Sequence, residues 1–270
     1  MKNIWVPLSG QIAQQRKVEN IANNIANANT VGYKKDRLTF KEHLTALTEE
    51  GALNQNIDLP RKEWSPDDFY RSQGAENAFV KVDGSYTNFK QGSLSPTQNS
   101  MDFALSGKGF FEVLTPRGPR YTRNGQFSLN SEGNIVNSDG HYLLKKAADE
   151  TPFAERLINL SQIKSFSLSK EGKVFSPQGQ LAEVSVVEFK DNASLKKEGG
   201  MLFVNNDLDN IVREGVKTAV HQGFVEQSNV NAISEMSELI KAHRHFENIQ
   251  KAINTYDSIA GKAANDISKF

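Results

Sequence analysis

"GFFEVLTPRGPRYTRNGQFSLNSEGNIVNSDGHYLL" occupies residues 109–144, and its rhythm decides the fold. Short runs of aromatic and β-branched residues alternate with turn clusters. The run 109–114 meets Thr115-Pro116-Arg117-Gly118, and 120–123 meets Asn124-Gly125. The run 127–129 meets Asn130-Ser131-Glu132-Gly133, and 134–136 meets Asn137-Ser138-Asp139-Gly140 before 141–144. Asn-Gly and Asp-Gly favour the positive-φ turns that join antiparallel strands. Working outward, 79–82 is a strand before Asp83-Gly84, and 174–175, 184–189, 201–204 and 219–225 are later strands. The connection near 145–165 has low regularity. No βαβ series is present, which argues against a doubly wound nucleotide-binding fold.

Outside this β region the period changes to that of a helix. Residues 1–31 carry a seam at alternating steps of three and four: Met1, Ile4, Leu8, Gln11, Gln15, Val18, Ala22, Ile25 and Asn29. The seam is apolar at both ends and polar in the middle. Gly32 supplies a left-handed stop. A short second helix is predicted over 41–50, with Phe40, Leu44 and Leu47 on one face and Gly51 after it. The closing stretch from 228 has no proline and one glycine, Gly261. Asn229 or Asn231 caps it, and Glu235 and Glu238 suit the positive end of the helix dipole. Its seam is Leu239, Ala242, Phe246, Ile249, Ile253, Tyr256, Ala260, Ala263 and Ile267, apolar or aromatic at every step. A helix over 231–268 is about 57 Å long at 1.5 Å per residue, and a 3.5-residue period calls for a helical partner. The expectation is therefore an α+β fold in which the N- and C-terminal helices pack as a coiled coil around a central, mostly antiparallel β domain. Four parts follow: a helical region 1–51, an irregular connection 52–77, a β-rich domain 78–225 and a coiled-coil helix 226–270. Ile12, Ile21, Met236 and Ile240 lie off the seams and are left for neighbouring molecules.

Composition excludes more than it nominates. Lys+Arg is 32 and Asp+Glu is 32, so a net charge of zero gives no overall field to draw nucleic acid or an anionic membrane. The densest basic patch, Lys34-Lys35-Asp36-Arg37, reads as a solvated loop or helix end. With no cysteine, disulfides, thiolate catalysis and cysteine-based zinc sites are excluded. The apolar stretch Ile4-Trp5-Val6-Pro7-Leu8 is too short for a signal-peptide core or a membrane span, so no cleaved Sec-type signal and no membrane insertion are expected. His243 and His245, two apart on a helix, face different sides and share no metal. Gly107-Lys108-Gly109 lacks the third glycine of a dinucleotide loop, and Asp67-Asp68 has no partner. No catalytic, cofactor-binding or metal-binding residue is nominated; the chain is not expected to be an enzyme.

Three stretches carry a family resemblance. Residues 8–35, "LSGQIAQQRKVENIANNIANANTVGYKK", resemble the amino-terminal signature of bacterial flagellar rod and hook axial proteins. The match is densest over 22–34, with Ile25 and Tyr33 in place of the usual Leu and Phe. Residues 101–144 are similar to the family's central β signature, and residues 222–257 to its carboxy-terminal one. Within the family the chain looks most like the proximal-rod branch, with the distal rod close behind. The resemblance implies a structural subunit of the basal-body rod, exported through the flagellar type III apparatus and assembled helically in the periplasm to transmit torque. Its partners would be other rod proteins and copies of itself. Terminal helices would line the inside, with the β domain outward. The helix seams would carry assembly, and Asn23, Asn24, Asn27, Asn29 and Gly32 form the family motif. Asn side chains hydrogen-bond in both directions and are expected to fix register between packed helices; local capping of a frayed helix end is the alternative. The competing function is a β-domain adhesin on a coiled-coil stalk.

Overall fold

The computed structural model describes residues 5–45, 77–147, 151–161, 165–213 and 215–267. Two α-helices stand among the described residues, α1 (Trp5–Ala26) and α2 (Ala232–Ile267). Between them run β1 (Asp36–Thr45), β2 (Asn77–Thr87), β3 (Leu94–Pro96), β4 (Phe103–Ser106), β5 (Phe110–Thr115), β6 (Gly118–Thr122), β7 (Phe127–Leu129), β8 (Ile135–Asn137) and β9 (Tyr142–Leu143). They are followed by β10 (Ser167–Leu168), β11 (Lys173–Ser176), β12 (Gly179–Glu183), β13 (Val186–Phe189), β14 (Lys196–Gly199), β15 (Leu202–Val204), β16 (Ile211–Val212), β17 (Ala219–Gln222) and β18 (Phe224–Glu226).

The largest sheet runs β14-β15-β6-β5-β9-β8-β7, with β13 pairing β5 and β16. The strand pairings given above are antiparallel, as turn chemistry demands. β5 is its pivot. Phe110 joins a cluster with Tyr121, Val187, Phe189, Leu195 and Phe203, while Phe111 joins one with Phe103, Val113, Phe127, Ile135 and Leu143. Successive strand residues point to opposite faces, so a strand covered on both sides reads as a continuous apolar run.

Two compact units are present. One comprises the described residues within 5–22, 38–85 and 236–267, and the other residues 23–37 and 86–235. The division falls inside both helices. In the first unit β1 and β2 form a two-stranded sheet. Ser9 Oγ, itself donating to Val6 O at 2.7 Å, accepts from Val80 N at 3.1 Å.

Three expectations are corrected. The terminal helices do not pack as a coiled coil, although the α+β class holds. α1 has 22 residues and α2 has 36, about 33 and 54 Å, so one cannot cover the other. The middle of the α1 seam is Gln11 and Gln15, which offer no apolar knobs. The helix–helix hydrogen bond in this unit is polar, with Gln14 Nε2 donating to Ala242 O at 2.9 Å. Second, 41–45 is strand; the rest of the proposed second helix, 46–50, lies outside the described residues. Pairing overrides the local helical spacing, with Thr39 Oγ1 donating to Gly84 O at 3.4 Å across β1 and β2. That pairing also carries β2 straight through Asp83-Gly84. Third, Asn124-Gly125 closes no hairpin, because β6 and β7 are not neighbours in the sheet. Gly125 is needed for close approach instead. A Cβ there would sit 1.5 Å from Phe103 O, and Gly125 O accepts from Phe103 N at 2.8 Å.

Candidate assembly site

The second unit closes around three buried charges. After α1, the chain reaches Gly32 at φ +72°, and Gly32 N donates to Glu226 O at 2.8 Å. Two residues later Lys34 turns inward and is 1% exposed. Its Nζ donates to Glu226 Oε1 at 2.6 Å and to Lys90 O at 3.0 Å. The same Oε1 accepts from Gly92 N at 2.8 Å, and Oε2 accepts from Arg123 Nη1 at 3.1 Å. Arg123 Nη2 reaches Gly107 O at 2.7 Å, and its guanidinium lies 4.8 Å from the Phe110 ring centroid. Burial pulls the Lys34 ammonium below its usual range, and the Glu226 carboxylate counters it. Arg123 is lowered by burial in the same way. The solvated reading of Lys34 is thus corrected: its partner lies 192 residues away in sequence.

A second ring of polar contacts surrounds these charges. Asn24, 1% exposed, accepts on Oδ1 from Asp36 N at 3.1 Å and from the Tyr33 hydroxyl at 3.1 Å. Its Nδ2 donates to Asp36 O at 2.9 Å and to Glu235 Oε2 at 3.5 Å. Lys35 Nζ pairs with Glu235 Oε1. Asn229 accepts from Lys35 N at 2.8 Å and donates to Asn88 O and Lys90 O at 2.7 and 2.8 Å. Asn231 provides the α2 cap, with Oδ1 accepting from Ser234 N at 3.0 Å. Lys197 Nζ sits 4.0 Å from the Tyr33 ring centroid and 2.8 Å from Asp36 Oδ2. Burial, then the Asp36 and Glu235 carboxylates, push the Tyr33 hydroxyl up to about 12.

The motif asparagines divide their work. Asn24 bonds both to the chain after α1 and to the first turn of α2. Asn23 Oδ1 accepts from the Tyr33 hydroxyl at 2.9 Å. Asn27 acts locally, donating to Asn23 O at 2.9 Å and accepting from Thr30 Oγ1 at 3.2 Å. Asn29 is exposed. Gly32 does more than stop a helix, since a Cβ there would meet Arg123 C at 2.5 Å.

Of the seam residues, Ala242 is buried, while Leu8, Val18, Ile25, Leu239, Phe246, Ile249 and Ile253 are half-buried. Ala22 and Tyr256 are exposed. Ile4 lies outside the described residues, and so does the side chain of Ala260. Ile21, set aside for neighbours, is buried within its own chain. Ile12, Ile233, Met236 and Ile240 are exposed, as are Tyr256 and Ile259. At 100° per residue, Ile233, Met236 and Ile240 form one stripe on α2, about 130° from the Ala242 seam, and Tyr256 and Ile259 flank its other side.

A separate buried acid, Glu112, holds no reactive arrangement. It accepts from Ser185 Oγ at 2.6 Å, from Arg213 Nη1 at 3.0 Å and from Arg156. Burial raises its carboxyl, but the Arg213 and Ser185 hydrogen bonds and the two arginine charges outweigh that and hold it below the usual range. Among the described residues no cluster of three or more His, Asp or Glu could hold a metal, and no helix is long and apolar enough to cross a membrane.

Sequence reasoning did not single out Lys34, Arg123, Glu226, Glu235 or Asn229 as a connected set. The only signal was that all five fall within the three stretches quoted for the resemblance. Family models match at the same places. Residues 6–34 match the flagella basal body rod protein model, and 104–176 the flagellar hook protein FlgE/F/G D1 domain. Residues 221–266 match the flagellar basal body rod FlgEFG protein C-terminal model. Each matched segment supplies one of the three buried charges. Over the whole chain, the flagellar basal-body rod protein FlgG of Caulobacter vibrioides is 31% identical across 272 residues, covering 96% of this chain and 97% of that protein. FlgG of Borreliella burgdorferi is 30% identical, with 98% of each chain covered. FlgF of Caulobacter vibrioides is 29% identical over 268 residues, covering 99% and 98%.

Proposed function

The chain belongs to the flagellar basal-body rod protein family, and from that premise we propose that it is an axial rod subunit that works by assembling, without catalysis. The observation that carries the mechanism is the solvent-exposed apolar surface of α2. Ile233, Met236 and Ile240 stand exposed on one side of a partly buried seam, and Tyr256 and Ile259 on its other side. A surface of that kind is stabilised by a neighbour's helices, each covered residue contributing about 1.5–3 kcal/mol. Contacts between unlike patches that do not close into a ring generate an open helical array, the geometry a rod requires. The helix seams, from Leu8, Val18 and Ile25 to Phe246, Ile249 and Ile253, join that interface in the assembled state.

In this reading the subunit sits in the periplasmic part of the basal body, bound to copies of itself and to other rod proteins. It arrives through the flagellar type III apparatus. The chain's resemblance to the proximal-rod branch supports a proximal position, whereas the relatives divide between FlgF and FlgG at nearly equal identity. The test is complementation of a strain lacking the gene, with isolated basal bodies imaged. The full chain is expected to restore motility, and a chain stopped after Gln250 is expected not to. Restoration by the shortened chain would overturn the role given to α2. A deletion strain with complete rods would overturn the function.

A further inference from the structure

We infer that the roots of both helices are closed onto the β unit inside the free subunit, by the Lys34–Glu226–Arg123 cluster, and that Glu226 is the residue positioning them. The inference deepens the rod reading and rests on it only for its consequence, not for its test.

Three observations support it. First, residues 23–37 and 226–235 belong to the same compact unit as β3 to β18, although most of α1 and α2 do not. Second, the contacts that fasten these roots are buried and charged. Lys34, Arg123 and Glu226 have side-chain exposures of 1%, 2% and 0%. Each is oriented by backbone groups too: Lys34 by Lys90 O, Arg123 by Gly107 O, and Glu226 by Gly92 N. A buried charge without its partner is expensive, so the three segments close together or not at all. Third, the described side chains of the outer part of α2 are less buried. Beyond Glu235, α2 buries Ala242 fully, exposes Met236 and Ile240, and leaves Tyr256 and Ile259 bare.

The consequence is a division of labour along each helix. Residues 23–37 and 226–235 are set before any neighbour is met, and they fix where α1 ends and where α2 begins. Residues 236–267 of α2 take most of their support from the next subunit. Most of the stability of an amphipathic helix in a protein comes from packing its apolar face. Lys35–Glu235 and Asn24–Glu235 hold the two roots in register with each other, while Glu226 holds both to the strands.

Hydrogen exchange on the purified full-length protein, read by fragment, tests this. In the wild type, amides at 32–36 and 227–235 are expected to be protected on the scale of β5, and those at 250–267 far less. In Glu226→Gln, which leaves two cations on a neutral partner, root amides are expected to exchange about a hundredfold faster or more, the scale of a broken buried ion pair. β5 is expected to be affected less than the roots. The paired variant Lys35→Met with Glu235→Gln spares the inner cluster, and is expected to loosen 23–26 and 232–235 while leaving 32–34 protected. Roots that exchange as freely as 250–267 in the wild type would overturn the inference, as would unchanged protection in Glu226→Gln. If Glu226→Gln yields no folded protein, the wild-type pattern and the paired variant decide. None of these readouts depends on motility, so a failed rod assignment and a failed closure are told apart.

Discussion

Gly32 meets two demands at once, and they are separable by substitution. Its φ of +72° is a conformation that L side chains avoid, and its missing Cβ leaves room for the backbone of Arg123 and Asn124 at 2.5 Å. Gly215 shares the first demand alone, with φ +67° and nothing within 4 Å. Gly215→Ala is therefore expected to cost about 1 kcal/mol from strain. Gly32→Ala is expected to cost roughly 3 kcal/mol or more, because neither neighbouring atom is a movable side-chain end. Thermal or urea unfolding of the two variants measures the difference. Protonation gives a second test at this scale. The folded Glu112 carboxyl is held low, so the stability from its ion pairs is present above the unfolded value of about 4.3 and is lost as pH falls through the lower folded one. Tyr33 is shifted the other way, so its contribution is present below 10.0 and is lost as pH rises toward about 12. Unfolding free energy followed against pH should show both declines, and Tyr33→Phe should flatten the alkaline one. Little of this was legible in one dimension. A lysine beside Lys35, Asp36 and Arg37 has the same sequence context whether it is solvated or paired with a glutamate near the other end of the chain. Gly32 was legible as a left-handed stop but not as a close approach, since the approaching strand end comes from residue 123.

Among elements, the pattern revealed which face of α2 turns inward but not what it meets. The three-four spacing through Ala242, Phe246, Ile249 and Ile253 matches the more buried side. Periodicity measures amphipathicity, however, and an amphipathic helix fits one long partner or several short ones equally well. Among the described side chains of that seam, Ala242 is buried, Phe246, Ile249 and Ile253 are half-buried, and Tyr256 is exposed. β1 escaped notice because Phe40, Leu44 and Leu47 have helical spacing as well, and only the pairing with β2 decides between the two periods. The turn clusters of the β region were read more securely. Gly133 at φ +79° and Gly140 at φ +81° complete the turns after Asn130 and Asn137. Opposite substitutions on α2 should separate its two surfaces. Ala242→Leu adds volume at a buried point of contact with Gln14 and is expected to cost about 1–3 kcal/mol of stability. Ile240→Asp, on a bare stripe, is expected to leave the unfolding midpoint within about 0.5 kcal/mol and to abolish motility. An Ile240→Asp strain that swims normally would remove that stripe from the interface.

At the scale of the whole molecule, chain order and compact units part company, and this governs which fragments fold. A piece spanning 78–225 contains every strand from β3 to β17 but ends one residue short of Glu226. It buries Arg123 against Phe110 and Gly107 O with no carboxylate and no Lys34. A piece spanning 23–236 keeps all three charges, the Asn24–Glu235 contact and the Asn231 cap. It loses only the outer parts of the helices. The longer fragment is expected to unfold cooperatively, within about 1–2 kcal/mol of the full chain, and to remain monomeric. The shorter is expected to be destabilised by about 3–5 kcal/mol, the cost of an unpaired buried charge, which is a large part of a typical domain's margin. Circular dichroism melts and sedimentation of both fragments decide the matter. Equal stability would mean that Glu226 and Lys34 are passengers on a β unit complete without them, and that the division between fold and assembly runs at the strand ends. Unequal stability places that division within the helices, so that the fold itself sets the points from which the assembling surfaces start.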